Sequence, residues 1–339
     1  KYSSWLDGQE QFKIPRDAKF NSIVVPTIDT IRNEYVFQLL LEKGYHVLCT
    51  GDTGTGKSVS IKNKLLSGMA SRFTSPINLN FSAQTSANQT QDLIDSKLDK
   101  RRKGVIGPPL GHTTIVFVDD LNMPAKEIFG AQPPIEILRQ WMDHRGWYDR
   151  KENEFRRLVD IQFVGAMGPP GGGRTKITQR YVRHFNVINF INFSDESLSR
   201  VFSTIIDWKL SQGFAGPVKS LSNIIVDATI NVYNTISKEL LPTPSKSHYT
   251  FNLRDLSKVF QGLLSVSPKH LTTKESVYRL WAHESSRVFR DRLINADDRK
   301  WFNNAVLNQF HTTLEEPDFK IETFSDLIFG DFLTKEKEN

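Results

Sequence analysis

Eight consecutive residues constrain this chain more than any others: Gly51-Asp52-Thr53-Gly54-Thr55-Gly56-Lys57-Ser58. They fit the pattern G-x-x-x-x-G-K-[ST] at every required position. The apolar run YHVLCT at 45–50 precedes them and a helical pattern over 59–69 follows, the strand–loop–helix context in which the pattern carries meaning. Glycines let the backbone curl so that successive N–H groups point inward at phosphate oxygens. The new helix adds its unsatisfied N–H groups and the positive end of its dipole. Lys57 supplies the point charge expected at the β- and γ-phosphates, and the Ser58 hydroxyl is placed to ligate Mg²⁺. Cys49, just upstream, reads as a small buried hydrophobe.

The region around this loop alternates short β-branched runs with helical patterns. The runs are 45–50, INLNF at 77–81, TIVFV at 114–118, IQFVGA at 161–166 and FNVINF at 185–190. They are apolar on both faces, as strands covered by helices on both sides should be, and they predict a five-stranded parallel sheet with crossover helices. Beyond about residue 193 no strand pattern competes. Ser194 is a plausible N-cap before Asp195 and Glu196, opening a helix through Leu210. Helical stretches follow over 218–240, 253–265, 273–293 and 296–311, with Pro217 in a first turn and Thr272 and Glu275 at capping-box spacing. At roughly 100–200 residues per domain, 339 residues suggest about two domains. We place the boundaries at 1–193 for an α/β domain that includes a lead-in segment, 194–315 for a smaller helical domain, and 316–339 for a linker whose KEKEN end reads as frayed.

Composition narrows the class. A lone cysteine cannot form an internal disulfide, which excludes a secreted disulfide scaffold and points to a reducing compartment. No apolar run reaches the ~18 residues a membrane span needs, so no membrane partner is expected. The start, KYSSWLDGQEQFK, has no signal-peptide pattern and no initiating Met, which suggests a piece of a longer polypeptide. A net charge of +6 is too mild to imply nucleic acid by itself. The basic clusters KRRK at 100–103 and RKENEFRR at 150–157 read as solvated faces or as a phosphate-backbone patch.

A second chemical signal lies 62 residues after Lys57, where IVFV runs straight into Asp119 and Asp120. This puts two carboxylates at the C-terminal edge of a strand, where α/β sheets hold their ligands. Asp119 is the expected Mg²⁺ ligand, directly or through water. Asp120 occupies the position of the acid that orients an attacking water, but it is about one methylene shorter than the Glu many such ATPases carry.

With both motifs placed, the chain resembles an AAA+ ATPase module, and more closely still a dynein heavy chain. The stretches that carry the resemblance are VPTIDTIR at 25–32, VDDLNMP at 118–124, QPPIEILRQWMDHRGWYDR at 132–150 and VGAMGPPGGGR at 164–174. The best match is the third AAA+ module of the motor ring in its axonemal, ciliary version, over residues 5 to 333. The resemblance implies a P-loop AAA+ fold of class α/β followed by a helical lid, with ATP or ADP and Mg²⁺ as cofactors. It implies that Val25 and Pro26 bracket the adenine, that Asn80 is a polar switch residue, and that Arg254 is a lid arginine at the γ-phosphate. It places Arg180 and Arg183 in the arginine-finger region that serves a neighbouring module. Lys57, Asp120 and Arg254 form the implied catalytic set, Ser58 and Asp119 the metal pair. Where many AAA+ modules place a polar sensor after the fourth strand, Gly168 offers no side chain.

The resemblance further implies a hairpin insert at 146–159, and the segment 101–112, with Gly107-Pro108-Pro109 at its tip, reads as a second hairpin. Trp141, Trp147 and Tyr148 read equally as interface aromatics or as core. The implied function is a nucleotide-binding module that gates a microtubule motor in the ciliary axoneme and cytoskeleton and hydrolyses slowly. The implied partners are neighbouring AAA+ modules, microtubules, and intermediate and light chains. Two other functions fit the two motifs: a fully active AAA+ remodeller or chaperone, and a nucleic-acid-acting helicase or clamp-loader subunit.

Overall fold

The computed structural model describes residues 4–6, 12–316, 318, 320 and 328–330. The KEKEN end and most of 316–339 lie outside the described residues. Two compact units are present, Lys1–Gly8 with Ile28–Asn192, and Gln9–Thr27 with Phe193–Asn339. The stretch Gln9–Thr27 of the lead-in thus groups with the helical unit, where Trp208 Nε1 donates to Pro15 O and Val25 joins the core.

The first unit is α/β. Its strands, in chain order, are β1 (His46–Gly51), β2 (Ile77–Asn80), β3 (Asp99–Arg102), β4 (Val105–Gly107), β5 (Thr114–Asp119), β6 (Gly146–Tyr148), β7 (Phe155–Leu158), β8 (Ile161–Met167) and β9 (Phe185–Phe190). Five of them form a wholly parallel sheet in the order β2-β5-β8-β1-β9, the architecture expected from the alternating runs. Helices α1 (Ile28–Glu42) and α2 (Lys57–Ser67) cover one face, while α3 (Ala87–Asp95), α4 (Pro133–His144) and α5 (Gln179–Val182) cover the other. The two-residue period of the strands sorts their side chains between these layers. Val47, Cys49, Ile115, Phe117, Val164 and Ala166 pack with Phe37, Leu41, Ile61 and Leu65 of α1 and α2. Leu48, Val116, Val118 and Phe163 pack with Ile94, Leu138, Trp141 and Tyr181. The edge strands differ: β2 alternates buried and exposed residues, and β9 leaves Val187 about half exposed.

A second sheet, ordered β3-β4-β7-β6, is built from the two inserts. The first hairpin corrects the sequence expectation. It spans Asp99 to Gly107 and turns at Lys103–Gly104, not at Gly107-Pro108-Pro109. Gly104 takes φ +71°, which a tight turn demands, and prolines cannot donate to a ladder, so Pro108 and Pro109 fall after β4. The basic cluster 100–103 is therefore strand and turn. In the second insert Arg156 pairs with Asp149 and Arg150 with Asp92, so these cations are tied locally. Trp141 and Trp147 are buried, the latter donating to Asp95 Oδ1 at 3.1 Å, whereas Tyr148 is exposed.

The second unit is helical: α6 (Asp195–Leu210), α7 (Gly216–Lys219), α8 (Ser222–Glu239), α9 (Leu253–Ser265), α10 (Lys274–Val288) and α11 (Ala296–Thr312). Ser194 caps α6, accepting from Ser197 N at 3.2 Å. The capping box of α10 is one residue later than Thr272 and Glu275 suggest: Thr273 and Ser276 exchange both bonds, because the serine hydroxyl reaches back as well as a carboxylate would. Asp255 ties the unit together, accepting two bonds from Arg292 at 2.6 and 3.1 Å while nearly inaccessible to solvent. Among the described residues no helix is long and apolar enough to cross a membrane.

Candidate functional site

The parallel sheet brings three strand ends together: β1 leads into the glycine-rich loop, β5 ends in Asp119, and β8 leads into Gly168-Pro169-Pro170. Side-by-side pairing of β5 with β8 and of β8 with β1 places these C-terminal ends along one edge.

The loop itself is shaped by backbone geometry. Gly51, Gly54 and Gly56 all adopt positive φ, at 145°, 92° and 77°. Gly51 also has no room for a side chain, since a Cβ there would lie 2.1 Å from Phe190 O. Gly56 begins α2 without a side-chain cap, and the first bond of the helix is donated by Ser60 to Gly56 O. The N–H groups of the first turn are thus left over, as an anion site requires. Thr55 Oγ1 donates to Asp52 O at 3.0 Å, and Asn192 Nδ2 to Asp52 Oδ2 at 3.2 Å.

Lys57 is nearly buried, and its ammonium lies over the loop. It donates to Gly51 O at 2.7 Å, Asp52 O at 2.6 Å and Thr55 Oγ1 at 3.1 Å. Burial pushes its pKa down, against the opposing pull of Asp52 and Asp119, and Arg174 adds to the depression. Thr53 stands at the turn between Asp52 and Gly54.

Ser58 Oγ donates to Asp119 Oδ1 at 2.7 Å, so the two expected metal ligands already touch. Among the described residues no group of three or more His, Cys, Asp or Glu side chains gathers to hold a metal. One hydroxyl and one carboxylate suit Mg²⁺, which keeps several waters and takes its remaining ligands from substrate phosphates. The donor set therefore fits the cation that a phosphate-binding loop employs. Lys62 Nζ approaches Asp119 Oδ2 at 3.4 Å. This residue escaped sequence reasoning, although it lies one helical turn after Ser58 and so shares its face.

Asp120 is different. It sits in the left-handed region at φ 51°, is half exposed, and faces Arg174 Nη2 at 3.4 Å. Leu121, following it, returns to the sheet by donating to Ala166 O. Asn80 lies in register with Asp119 on β2 and is exposed.

Of the finger candidates, Arg183 donates to Asp143 Oδ1 at 2.9 Å, whereas Arg180, exposed on α5, makes no ion pair among the described residues. Val25, Pro26 and Arg254 belong to the helical unit. Val25 is buried there, Pro26 O accepts from Arg200 Nε at 3.3 Å, and Arg254 is exposed in the first turn of α9 with its N–H on Asn252 Oδ1.

A five-stranded parallel sheet with this loop, the Ser58–Asp119 pair and a helical companion defines a P-loop module of the AAA+ class. Comparison with known proteins specifies it. The family described as "P-loop containing dynein motor region" matches residues 12–193, and "Dynein heavy chain, ATPase lid domain" matches residues 198–299. Dynein axonemal heavy chain 1 of Mus musculus is 52% identical over 345 residues, covering 97% of this chain and 8% of its own length. Dynein axonemal heavy chain 3 of Mus musculus is 46% identical over 351 residues, covering 99% and 9%. Dynein axonemal heavy chain 12 of Rattus norvegicus is 44% identical over 337 residues, covering 95% and 11%. The chain belongs to the dynein heavy chain family, as a P-loop module with its lid domain, and it spans about a tenth of the length of these relatives. A P-loop module of this kind binds nucleotide with Mg²⁺. Neither the remodeller nor the nucleic-acid alternative is favoured by these similarities.

Proposed function

We propose that this chain is the third AAA+ module of an axonemal dynein heavy chain, and that it holds ATP or ADP as a regulatory gate while hydrolysing slowly. The observation that carries the reading is an imbalance within one site. The phosphate loop and the Ser58–Asp119 pair are complete, while the water-orienting position holds the shorter Asp120 and Gly168 contributes no sensor side chain. Under this reading the first-turn N–H groups and Lys57 bind the phosphates, and Ser58 and Asp119 hold Mg²⁺, which neutralises charge on the phosphate oxygens when bound. Binding survives where water activation is weak, since general-base geometry is demanding at the ~1 Å level.

We assign residues 1–193 to nucleotide binding, 194–315 to the lid and 316–339 to a linker toward the next module. Val25 and Pro26 are assigned to the adenine, and Arg254 to the γ-phosphate. Arg180 is the better finger candidate of its pair, since Arg183 is engaged by Asp143. The nucleotide state of the module would pass by rigid-body motion to other modules of the same heavy chain. The parent would act on microtubules in the ciliary axoneme, with intermediate and light chains.

Single-turnover hydrolysis with Mg²⁺ tests the gate. Nucleotide binding accompanied by slow turnover supports it, and rapid turnover by the 339-residue chain without neighbouring modules overturns it.

A further inference from the structure

The segment leaving β8 doubles back on itself. Pro169 and Pro170 have no N–H to extend a ladder, and Gly171, Gly172 and Gly173 follow with φ of 128°, 56° and 85°. Gly171 and Arg174 exchange backbone bonds, N to O at 2.9 and 3.0 Å, closing a tight turn. Thr175 is then fixed to Asn122 O through its N–H at 2.9 Å and its hydroxyl at 3.2 Å. The backbone of Arg174 is therefore held between two anchored points, and its side chain returns toward the end of its own strand.

The guanidinium lies against Gly168. A Cβ at that position would come within 3.0 Å of Arg174 Nε and 3.1 Å of its Cδ. The lack of a side chain at 168 thus leaves the place where Arg174 lies. The fork is under-filled there: Nη2 reaches Asp120 Oδ1 only at 3.4 Å, and Nε is buried with no acceptor among the described residues. A buried guanidinium N–H without a partner is costly, and a planar fork of this kind matches a phosphate group bidentately. The positive charge of Arg174 helps lower the pKa of Lys57, so the two cations lie within electrostatic reach of each other.

We propose that Arg174 distinguishes a nucleoside triphosphate from a diphosphate: Asp120 holds it when no third phosphate is present, and it leaves Asp120 for the terminal phosphate when one is. The inference rests on the nucleotide reading above and deepens it. The exchange has a second consequence, because the carboxylate released by Arg174 is the one positioned to orient water. Sensing of the terminal phosphate and release of Asp120 are then one event, governed by a residue on the β8 turn in place of a side chain at 168.

The test is calorimetric titration of the 339-residue chain with ADP and with the non-hydrolysable triphosphate AMP-PNP, both with Mg²⁺. Arg174→Ala should weaken AMP-PNP binding about ten- to a hundredfold, the range of one or two charge-assisted bonds, and ADP binding by less than about threefold. Gly168→Ala, whose methyl displaces the guanidinium, should shift the ratio of the two affinities in the same direction. Arg174→Lys should give an intermediate ratio, because it keeps the charge without the fork. If Arg174→Ala does not fold, the lysine variant decides. Equal losses for both nucleotides, or an unchanged ratio, overturn the inference while leaving the nucleotide reading in place. A wild-type chain that binds neither nucleotide overturns both.

Discussion

The loops that follow β1 and β8 sit on neighbouring strands of one sheet and are built in opposite ways. After β1, glycines and a helix start create a nest of N–H groups, Lys57 closes over it, and Ser58 meets Asp119 at 2.7 Å. Asp52, Thr55, Lys57 and Ser58 all have side-chain hydrogen-bond partners there. After β8 the pattern is thinner. Gly168 has no side chain, Asp120 opposite is half exposed, and Arg174 makes one long contact while its Nε has no acceptor among the described residues. On the reading proposed above, the first loop would hold phosphate and the second would respond to it.

The comparison can be broken most forcefully at Gly51. Gly51→Ala drives a Cβ to within 2.1 Å of Phe190 O at a positive φ, so the β1–β9 pairing should lose about 3 kcal/mol of stability, read by denaturant unfolding. An Ala at Gly172, where a Cβ meets nothing within 4 Å, should cost far less. Lys57→Ala comes next. It should lower nucleotide affinity about a hundredfold and abolish thermal stabilisation by ATP. Stabilisation that persists in the variant would place the nucleotide elsewhere.

The opposite end of β1 offers a purely structural contrast. His46 Nδ1 accepts from Phe163 N at 3.0 Å, and burial, with Arg145 and His184 nearby, lowers its pKa to about 4. The unfolded chain takes up a proton near pH 6.5 and the folded chain does not, so stability contributed by the neutral ring is complete above pH 6.5. It falls as the pH drops toward 4. Between pH 7 and pH 5 the wild type should lose about 2 kcal/mol more than His46→Asn, which keeps an acceptor but does not titrate. Equal slopes would show that His46 is not the acid-labile element.

Asp120→Glu sharpens the contrast from the other side. Lengthening the acid by one methylene should raise single-turnover hydrolysis about tenfold while nucleotide affinity stays within about twofold. An unchanged rate would mean that the acid at this position is not what slows the site. The smallest effect is expected at Arg183→Ala, whose exposed ion pair with Asp143 should contribute less than about 1 kcal/mol to thermal unfolding.

Much of this was legible along the chain because it is local. The alternation of Val47, Leu48 and Cys49 names the two faces of β1 before any partner is known, and Ser194 announces α6 through a bond only three residues long. Even local signals slipped where neighbouring residues offered the same chemistry. The α10 cap moved from Thr272 to Thr273, and the first hairpin turned at Gly104 instead of at the prolines. At the edge strands, legibility failed for a different reason. Run composition does not say which strands end up outermost, so the exposure of Val187 on β9 was not readable.

Of the site, the sequence by itself determined the phosphate loop and the placing of Ser58, Asp119 and Asp120 at a helix start and a strand end, since each lies within one local element. The Ser58–Asp119 bond, by contrast, spans 61 positions and needs the sheet. Tertiary structure alone decided what those groups face. Arg174 reaches Asp120 across 54 positions because β5 and β8 pair in parallel, and Gly168 matters for the room it leaves beside that side chain. Contacts between distant segments are set by sheet order and register, which residue types along a single chain do not encode one position at a time.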